Sequence, residues 1–254
     1  MFHLASHNDE ETISISILPV VRRRIEAILE SSEHILTEDL GKEILSAYGI
    51  PVPCEKLSKS LAEAQKIASE IEYPIALKII SPQITHKTKA GGIKLGIANE
   101  GELSLAYEQV MDNANKYNPQ AEIKGVLVQE MVKPGKEVIV GMAQATQSGP
   151  IIVFGLGGIH VEALRDFSFR HAALKERDAW GMIREIKGYS VLEGAHGDSS
   201  CDLAAIVRVL MSVSQLVTDF QDSISAVDIN PLVVYPGGEG VKVLDCLFVK
   251  KRGK

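Results

Sequence analysis

The spacing of apolar positions changes along the chain, and each change marks an element. After Thr37, placed as an N-cap with Glu38 and Asp39 in the first turn, Leu40, Ile44, Leu45 and Tyr48 recur at helical spacing until Gly49 and Pro51 end the helix. Pro53 to Leu57 is extended. Ser60 and Glu63 form a capping-box signature for a helix with Leu61, Ala64, Ile67, Ala68 and Ile71 on one side. Ala76 to Ile80 is then a short Ile-rich run between Pro74 and Pro82, which predicts a strand, and Lys94 to Ile97 begins a second one. Asn99 and Glu102 open a helix to about Tyr117. Two further strands, Ile123–Val132 and Lys136–Ala143, are joined through Lys133, Pro134 and Gly135. The order from Thr37 is therefore α, β, α, β, β, α, β, β.

The remainder keeps the mixture. Pro150–Phe154 is a near-continuous apolar strand followed by a turn at Gly155 to Gly158, and Val161–Phe169 is predicted extended. Helices are predicted over Ala179–Ile186 and, with a strong apolar stripe, Asp202–Val217. Two strands joined by Pro236, Gly237 and Gly238 close the chain. Before Thr37, Ile13, Ile15 and Ile17 alternate with serines, and a helix is predicted from Arg22 to about Ser31. The three arginines at its start fit a solvated helix face. The class is α+β, with an N-terminal extension over 1–36 and two subdomains, 37–130 and 131–254.

Composition narrows the function. In 254 residues, 27 basic against 33 acidic side chains give a formal charge of −6, a poor balance for general nucleic-acid binding. The three widely spaced cysteines fit neither a disulfide scaffold nor a metal site, and a reducing cytoplasm is expected. No apolar run approaches the ~18 residues of a membrane span, and no signal-peptide charge order is present.

Against that acidic background the stretch between the strands at 76–80 and 94–97 is locally basic. It contains His86, Lys87, Lys89, Gly91 and Gly92. A histidine among lysines is a plausible phosphoryl acceptor, and a glycine pair lets backbone N–H groups approach phosphate oxygens. Lys78, inside an apolar strand, must emerge at a strand end or meet an anion. As ordinary features these are a surface histidine and a strand lysine. Glu130, Met131 and Val132 end a strand where the subdomains meet, with Glu137 on the next. Such a segment can pair with an adenine edge while a carboxylate holds ribose hydroxyls. Asp228 and Asn230 alternate on one strand, so they share a face, and Asp245 lies on the following strand. Carboxylate and amide oxygens suit Mg²⁺, although Asn-Pro also starts turns.

The stretches LTEDLGKEILSAYGIPVP, YPIALKIISPQITHKTKAGGIKLGI, VQEMVKPGKEVIVGM, GPIIVFGLGGIHVEALRD, AVDINPLVV and VLDC, in this order, resemble the ATP-grasp module of ADP-forming (NDP-forming) acyl-CoA synthetases. They look like the β subunit found in ADP-forming acetate–CoA ligase, over roughly residues 36–249. The resemblance implies an ATP-grasp fold whose two subdomains grip a nucleotide, and a reaction interconverting acid, CoA and ATP with acyl-CoA, ADP and phosphate. It further implies Mg²⁺, ATP or ADP as substrate, and a separate CoA-binding α subunit in an α₂β₂ assembly. By position, His86 matches a phosphate-carrying histidine and Lys78 a phosphate-binding lysine. Glu130 to Val132 match the adenine hinge, and Glu137 the ribose-side carboxylate. Asn230 and Asp245 match Mg²⁺ ligands, and Asp228 an acidic residue near the phosphohistidine docking site.

The chain departs from that pattern at Ala145, Ser148, Ala173 and His196, where the family often carries Asp, Phe, Pro and Arg. Two other readings follow: an ATP-grasp ligase joining a carboxylate to an amine without a phosphohistidine, and a nucleotide-sensing subunit without turnover.

Overall fold

The computed structural model describes residues 17–30, 34–145, 149–158, 166–194 and 199–251. In chain order the helices are α1 (Pro19–Glu30), α2 (Glu38–Ala47), α3 (Leu61–Ile71), α4 (Glu100–Tyr117), α5 (Glu176–Glu185), α6 (Tyr189–Glu193) and α7 (Leu203–Asp219). The strands are β1 (Ile35–Leu36), β2 (Glu55–Ser58), β3 (Ile75–Ile80), β4 (Ile93–Ile97), β5 (Gly125–Glu130), β6 (Lys136–Ala145), β7 (Gly149–Leu156), β8 (Phe167–His171), β9 (Ile224–Val234), β10 (Val241–Val243) and β11 (Cys246–Lys250). They form two antiparallel sheets. One has four strands in the order β2-β5-β3-β4; the other has seven, in the order β1-β11-β9-β6-β7-β8 with β10 also on β9. Among the described residues no helix is long and apolar enough to cross a membrane.

The small sheet shows how a continuous apolar run becomes a two-faced strand. All six residues of β3 are buried. Ile75, Leu77 and Ile79 pack with Ala64, Ala68, Leu103 and Val110 of α3 and α4. Alternation then turns Ala76, Lys78 and Ile80 toward the large sheet. The caps expected at Ser60 and Asn99 are present, with the Ser60 hydroxyl accepting from Glu63 N–H and the Asn99 amide oxygen from Glu102 N–H. Thr37 is extended but makes no side-chain cap bond.

The large sheet packs around α7, and its core reaches beyond the second half of the chain. Ile25, Ile28, Leu29, Leu36, Ile44, Leu45 and Tyr48 all belong to it. Tyr48 Oη donates to Asp219 Oδ2 at 2.7 Å, fastening the end of α2 to the end of α7. Residues 25–29 and 36–50 thus contribute to the large sheet's core rather than forming an extension and part of the first subdomain. The contacts responsible lie about two hundred positions away in sequence, so local periodicity gives no sign of them. The chain passes from α2 into the small sheet and back at β6.

One close approach positions the site. A Cβ built on Gly41 would stand 2.8 Å from Cys246 Sγ, so α2 lies directly on β11. That contact carries Glu38, at the N-terminal turn of α2, beside Asp245. The strand expected around Ile13 and Ile15 falls outside the described residues, as do Ser148, His196 and most of the predicted 161–169 segment. Ala173 has φ +65°, a conformation the proline ring excludes. The chain's backbone there is incompatible with the proline expected at that place.

Candidate functional site

Between the two sheets lies a cleft of about 300 Å³ lined by Thr37, Glu38, Ile80, Ser81, Thr85, His86, Lys87, Asp228, Asn230 and Asp245, among others. Asp228 and Asn230 reach it from one face of β9, while Val227 and Ile229 between and beside them enter the core. Asn230 N–H donates to the Asp245 carbonyl at 3.1 Å, which brings the β10–β11 connection against β9. His86 enters from the opposite side on the loop after β3. Four of the residues singled out in the sequence, His86, Asp228, Asn230 and Asp245, therefore share one cavity.

Behind it is a buried ionic cluster. Glu38 Oε1 receives the ammoniums of Lys42 and Lys78, each at 2.8 Å, and Glu38 Oε2 lies 2.9 Å from that of Lys87. Lys42 also bonds Glu55 Oε2 at 2.7 Å. Lys78 also donates to the Leu244 carbonyl at 2.6 Å. Lys87 also donates to both oxygens of Asp245, at 3.0 and 3.1 Å. The charges balance, three lysines against Glu38, Glu55 and Asp245. Burial raises the Glu38 carboxyl, but the ammoniums of Lys78, Lys42 and Lys87 more than offset it and hold the group well below the usual carboxylate range. Burial and the Glu38 charge raise Asp245 despite Lys87. Burial lowers Lys87, and Glu38 and Asp245 overcome it, so its ammonium is strongly held. In Asp228, burial raises the carboxyl and a hydrogen bond from Asn230 partly opposes this.

The anion that Lys78 was expected to meet is thus Glu38, an internal one. In the sequence Glu38 and Lys42 stand only as helix residues, and Lys87 only as part of a basic loop. A signal for the first two exists. They lie one turn apart on the same stripe as the buried Leu45, where a solvated pair has no place.

Gly91 and Gly92 differ from expectation. Gly91 N–H donates to Thr88 O at 3.1 Å and Gly92 N–H to Lys87 O at 2.9 Å. Those donors close the turn instead of facing a ligand. A Cβ on Gly92 would meet Ile79 Cγ2 at 2.4 Å, so this glycine lets the downstream end of the loop fold down on β3. Gly92→Ala is expected to destabilise the fold by about 1–3 kcal/mol through overpacking, read as a lowered urea midpoint.

Glu130, Met131, Val132 and Glu137 do not line the cleft. The Glu130 carboxylate bonds Lys242 of β10 and accepts from Cys54 N–H, tying the two sheets together at the end of β5. Burial raises this group, and the Lys242 and Cys54 hydrogen bonds bring it below its ordinary value. Met131 N–H donates to Pro74 O at 3.3 Å. Glu137 is exposed on β6, and its backbone and carboxylate lie against Gly157 and Gly158. Lys78 stands three positions further along the β3–β5 ladder, opposite Leu127 where Ile75 faces Glu130, at the ionic cluster.

Among the described residues no group of three or more His, Cys, Asp and Glu side chains is placed to hold a metal alone. Asp245, Asn230 and Asp228 nevertheless offer hard oxygens in one cleft, the kind Mg²⁺ takes singly or in pairs while keeping waters and nucleotide phosphates. The residues fit an ion shared with a nucleotide.

Two sheets meeting over a cleft with a lysine strand on one side and a carboxylate–amide wall on the other define an ATP-grasp protein, and a family model described as an ATP-grasp domain matches residues 27–249. The β subunit of acetate–CoA ligase (ADP-forming) II of Pyrococcus furiosus is 48% identical over 227 residues, covering 89% of this chain and 96% of that protein. A solved dinucleotide-forming acetyl-coenzyme A synthetase 1 of Ca. Korarchaeum cryptofilum, in complex with coenzyme A and Ca-AMPCP, superposes with a TM-score of 0.86. It is 40% identical and covers 91% of this chain and 99% of that one. The same enzyme with Mg-AMPPCP, its phosphohistidine segment pointing towards the nucleotide site, gives 0.77 at 36% identity, covering 91% and 100%. The chain belongs to the family of β subunits of ADP-forming acetate–CoA ligases.

Proposed function

We propose that this chain is the nucleotide-handling β subunit of an ADP-forming acyl-CoA synthetase, working with a CoA-binding α subunit in an α₂β₂ assembly. The reaction interconverts acid, CoA and ATP with acyl-CoA, ADP and phosphate. The observation that carries the reading is His86 facing Asp228, Asn230 and Asp245 across one cleft.

In the direction of ATP formation, an imidazole nitrogen of His86 attacks the phosphorus of a phosphohistidine presented by the partner. A new N–P bond forms as the old one breaks, and the electron pair leaves with the partner's nitrogen. A terminal oxygen of ADP then attacks the same phosphorus, and the N–P bond to His86 breaks, returning the electron pair to the imidazole. Asp228 orients an arriving imidazole by accepting its second N–H. Lys78 and Lys87, held at the rear of the cleft, supply positive charge where phosphate oxygens gather. Glu130 to Val132 receive the adenine and Glu137 the ribose. Asn230 and Asp245 hold Mg²⁺, which supplies Lewis-acid charge on the phosphates when bound.

Acyl-CoA-dependent ATP formation by the complex tests this directly. Turnover is expected with the wild-type chain. Tight nucleotide binding without turnover would leave only a sensing role. Asp245→Ala is expected to weaken Mg²⁺-dependent ADP binding by at least about tenfold, the lower end of the loss from removing even an outer-shell partner of a metal site. Calorimetric titration with and without Mg²⁺ measures this.

A further inference from the structure

The loop that carries His86 is fixed at three places, and one of them is of a different kind. Upstream, Ile84 is buried in the small sheet's core and its N–H donates to Ser81 O at 3.2 Å. Downstream, the Gly91 carbonyl accepts from Asn113 Nδ2 at 3.0 Å and Gly92 packs on Ile79. Between these anchors Thr85 and His86 are exposed in the cleft. The residue next to His86 crosses to the far wall, where the Lys87 ammonium meets both oxygens of Asp245 at 3.0 and 3.1 Å and Glu38 at 2.9 Å. The first two anchors are apolar packing and hydrogen bonds between uncharged groups, indifferent to ions. The third is an ion pair on a carboxylate that also belongs to the cation site.

Asp245 cannot serve an ammonium and a divalent cation equally, since two cations a few ångströms apart repel strongly at protein-surface dielectric. The charge balance says which yields. With Asp245 engaged elsewhere, Lys42, Lys78 and Lys87 are left with Glu38 and Glu55, one positive charge in excess. Lys42 also holds Glu55, and Lys78 holds the Leu244 carbonyl. Lys87 keeps only Glu38, which it shares with the other two lysines, and its stem already lies on the loop lining the cleft.

We propose that Lys87 is a positioning residue that couples the cation site to His86. Its ammonium holds Asp245, and so pins the loop, until a divalent cation takes that carboxylate; Lys87 then turns to the nucleotide phosphate beside His86. This rests on the assignment of Asp245 as a cation ligand made above. A bare cation therefore frees the loop, and a cation with nucleotide re-pins it at a new place.

Hydrogen exchange of the segment 84–92 in the full chain, alone, with Mn²⁺, and with Mn²⁺ and ADP, reads the coupling, and Mn²⁺ electron paramagnetic resonance measures binding on the same samples. In the wild type Mn²⁺ alone is expected to raise exchange on the order of tenfold, within the usual span of coupling between two sites, and added ADP to lower it again. Lys87→Met should exchange fast without any cation and show no response to Mn²⁺, while binding bare Mn²⁺ more tightly and Mn²⁺–ADP more weakly. Lys87→Arg should restore the response. Asp245→Asn, a second route to the same released loop, should also exchange fast throughout. Mn²⁺ binding that depends on Asp245 with no change in loop exchange would overturn the coupling and leave the cation assignment standing. Mn²⁺ binding undiminished in Asp245→Asn would overturn both.

Discussion

Replacing His86 with asparagine is expected to lower acyl-CoA-dependent ATP formation by at least about 10³-fold, a loss typical of removing a covalent nucleophile. ADP affinity should stay nearly constant. Asparagine keeps the size and polarity of the position but has no nitrogen that can take and release a phosphoryl group. The ionic tether of the loop is made by Lys87 and not by His86, so the substitution leaves the cleft assembled. The effect belongs in kcat. A comparable rise in the apparent affinity constant for ADP, with kcat retained, would assign His86 to binding. Steady-state kinetics of the complex with saturating partner subunit separates the two.

Glu38→Gln is expected to cost about 3–5 kcal/mol of stability at neutral pH, the usual penalty for removing one member of a buried charged network. The glutamine amide keeps the shape, but the cluster then holds three ammoniums against Glu55 and Asp245 alone. The pH dependence identifies the cause. Glu38 is depressed in the folded chain because its three lysines more than offset its burial. Its contribution is therefore fully present above the ordinary glutamate range, near pH ~4.3, and is lost as pH falls towards the folded value. The gap between wild type and variant should stay constant from about pH 8 to pH 5 and narrow in stronger acid. Urea unfolding across that range measures it. A gap that widened in acid would contradict the assigned charge state.

The parts of this molecule that the sequence revealed are those written in short-range patterns. Helical spacing after Thr37, the caps at Ser60 and Asn99, and the Ile-rich run at 76–80 all gave elements where they were expected, in the expected order. Period-two alternation placed Asp228 and Asn230 on one face of β9, and they do line the same cleft. Contacts between distant segments left no such trace. Lys87 and Asp245 are 158 positions apart, and Lys78 and Glu38 are 40 apart, so the ionic cluster behind the cleft was not readable. Packing of α1 and α2 on the large sheet was hidden for the same reason. The glycine pair misled because glycine is used both where backbone meets ligand and where backbone meets core, and the Ile79 contact decides for the latter. The short α6, five residues in an irregular region, has too few turns to show a period.

If phosphate passes through His86, it does so as an N–P bond that can be labelled and located. The chain and its CoA-binding partner are incubated with Mg²⁺ and ATP labelled in the γ-phosphate, and the label is traced by peptide mapping. A phosphoryl label is expected on the peptide carrying His86, labile in acid and stable in alkali, and is expected to be lost from both subunits in His86→Asn. A label fully retained in His86→Asn would rule out His86 as the carrier.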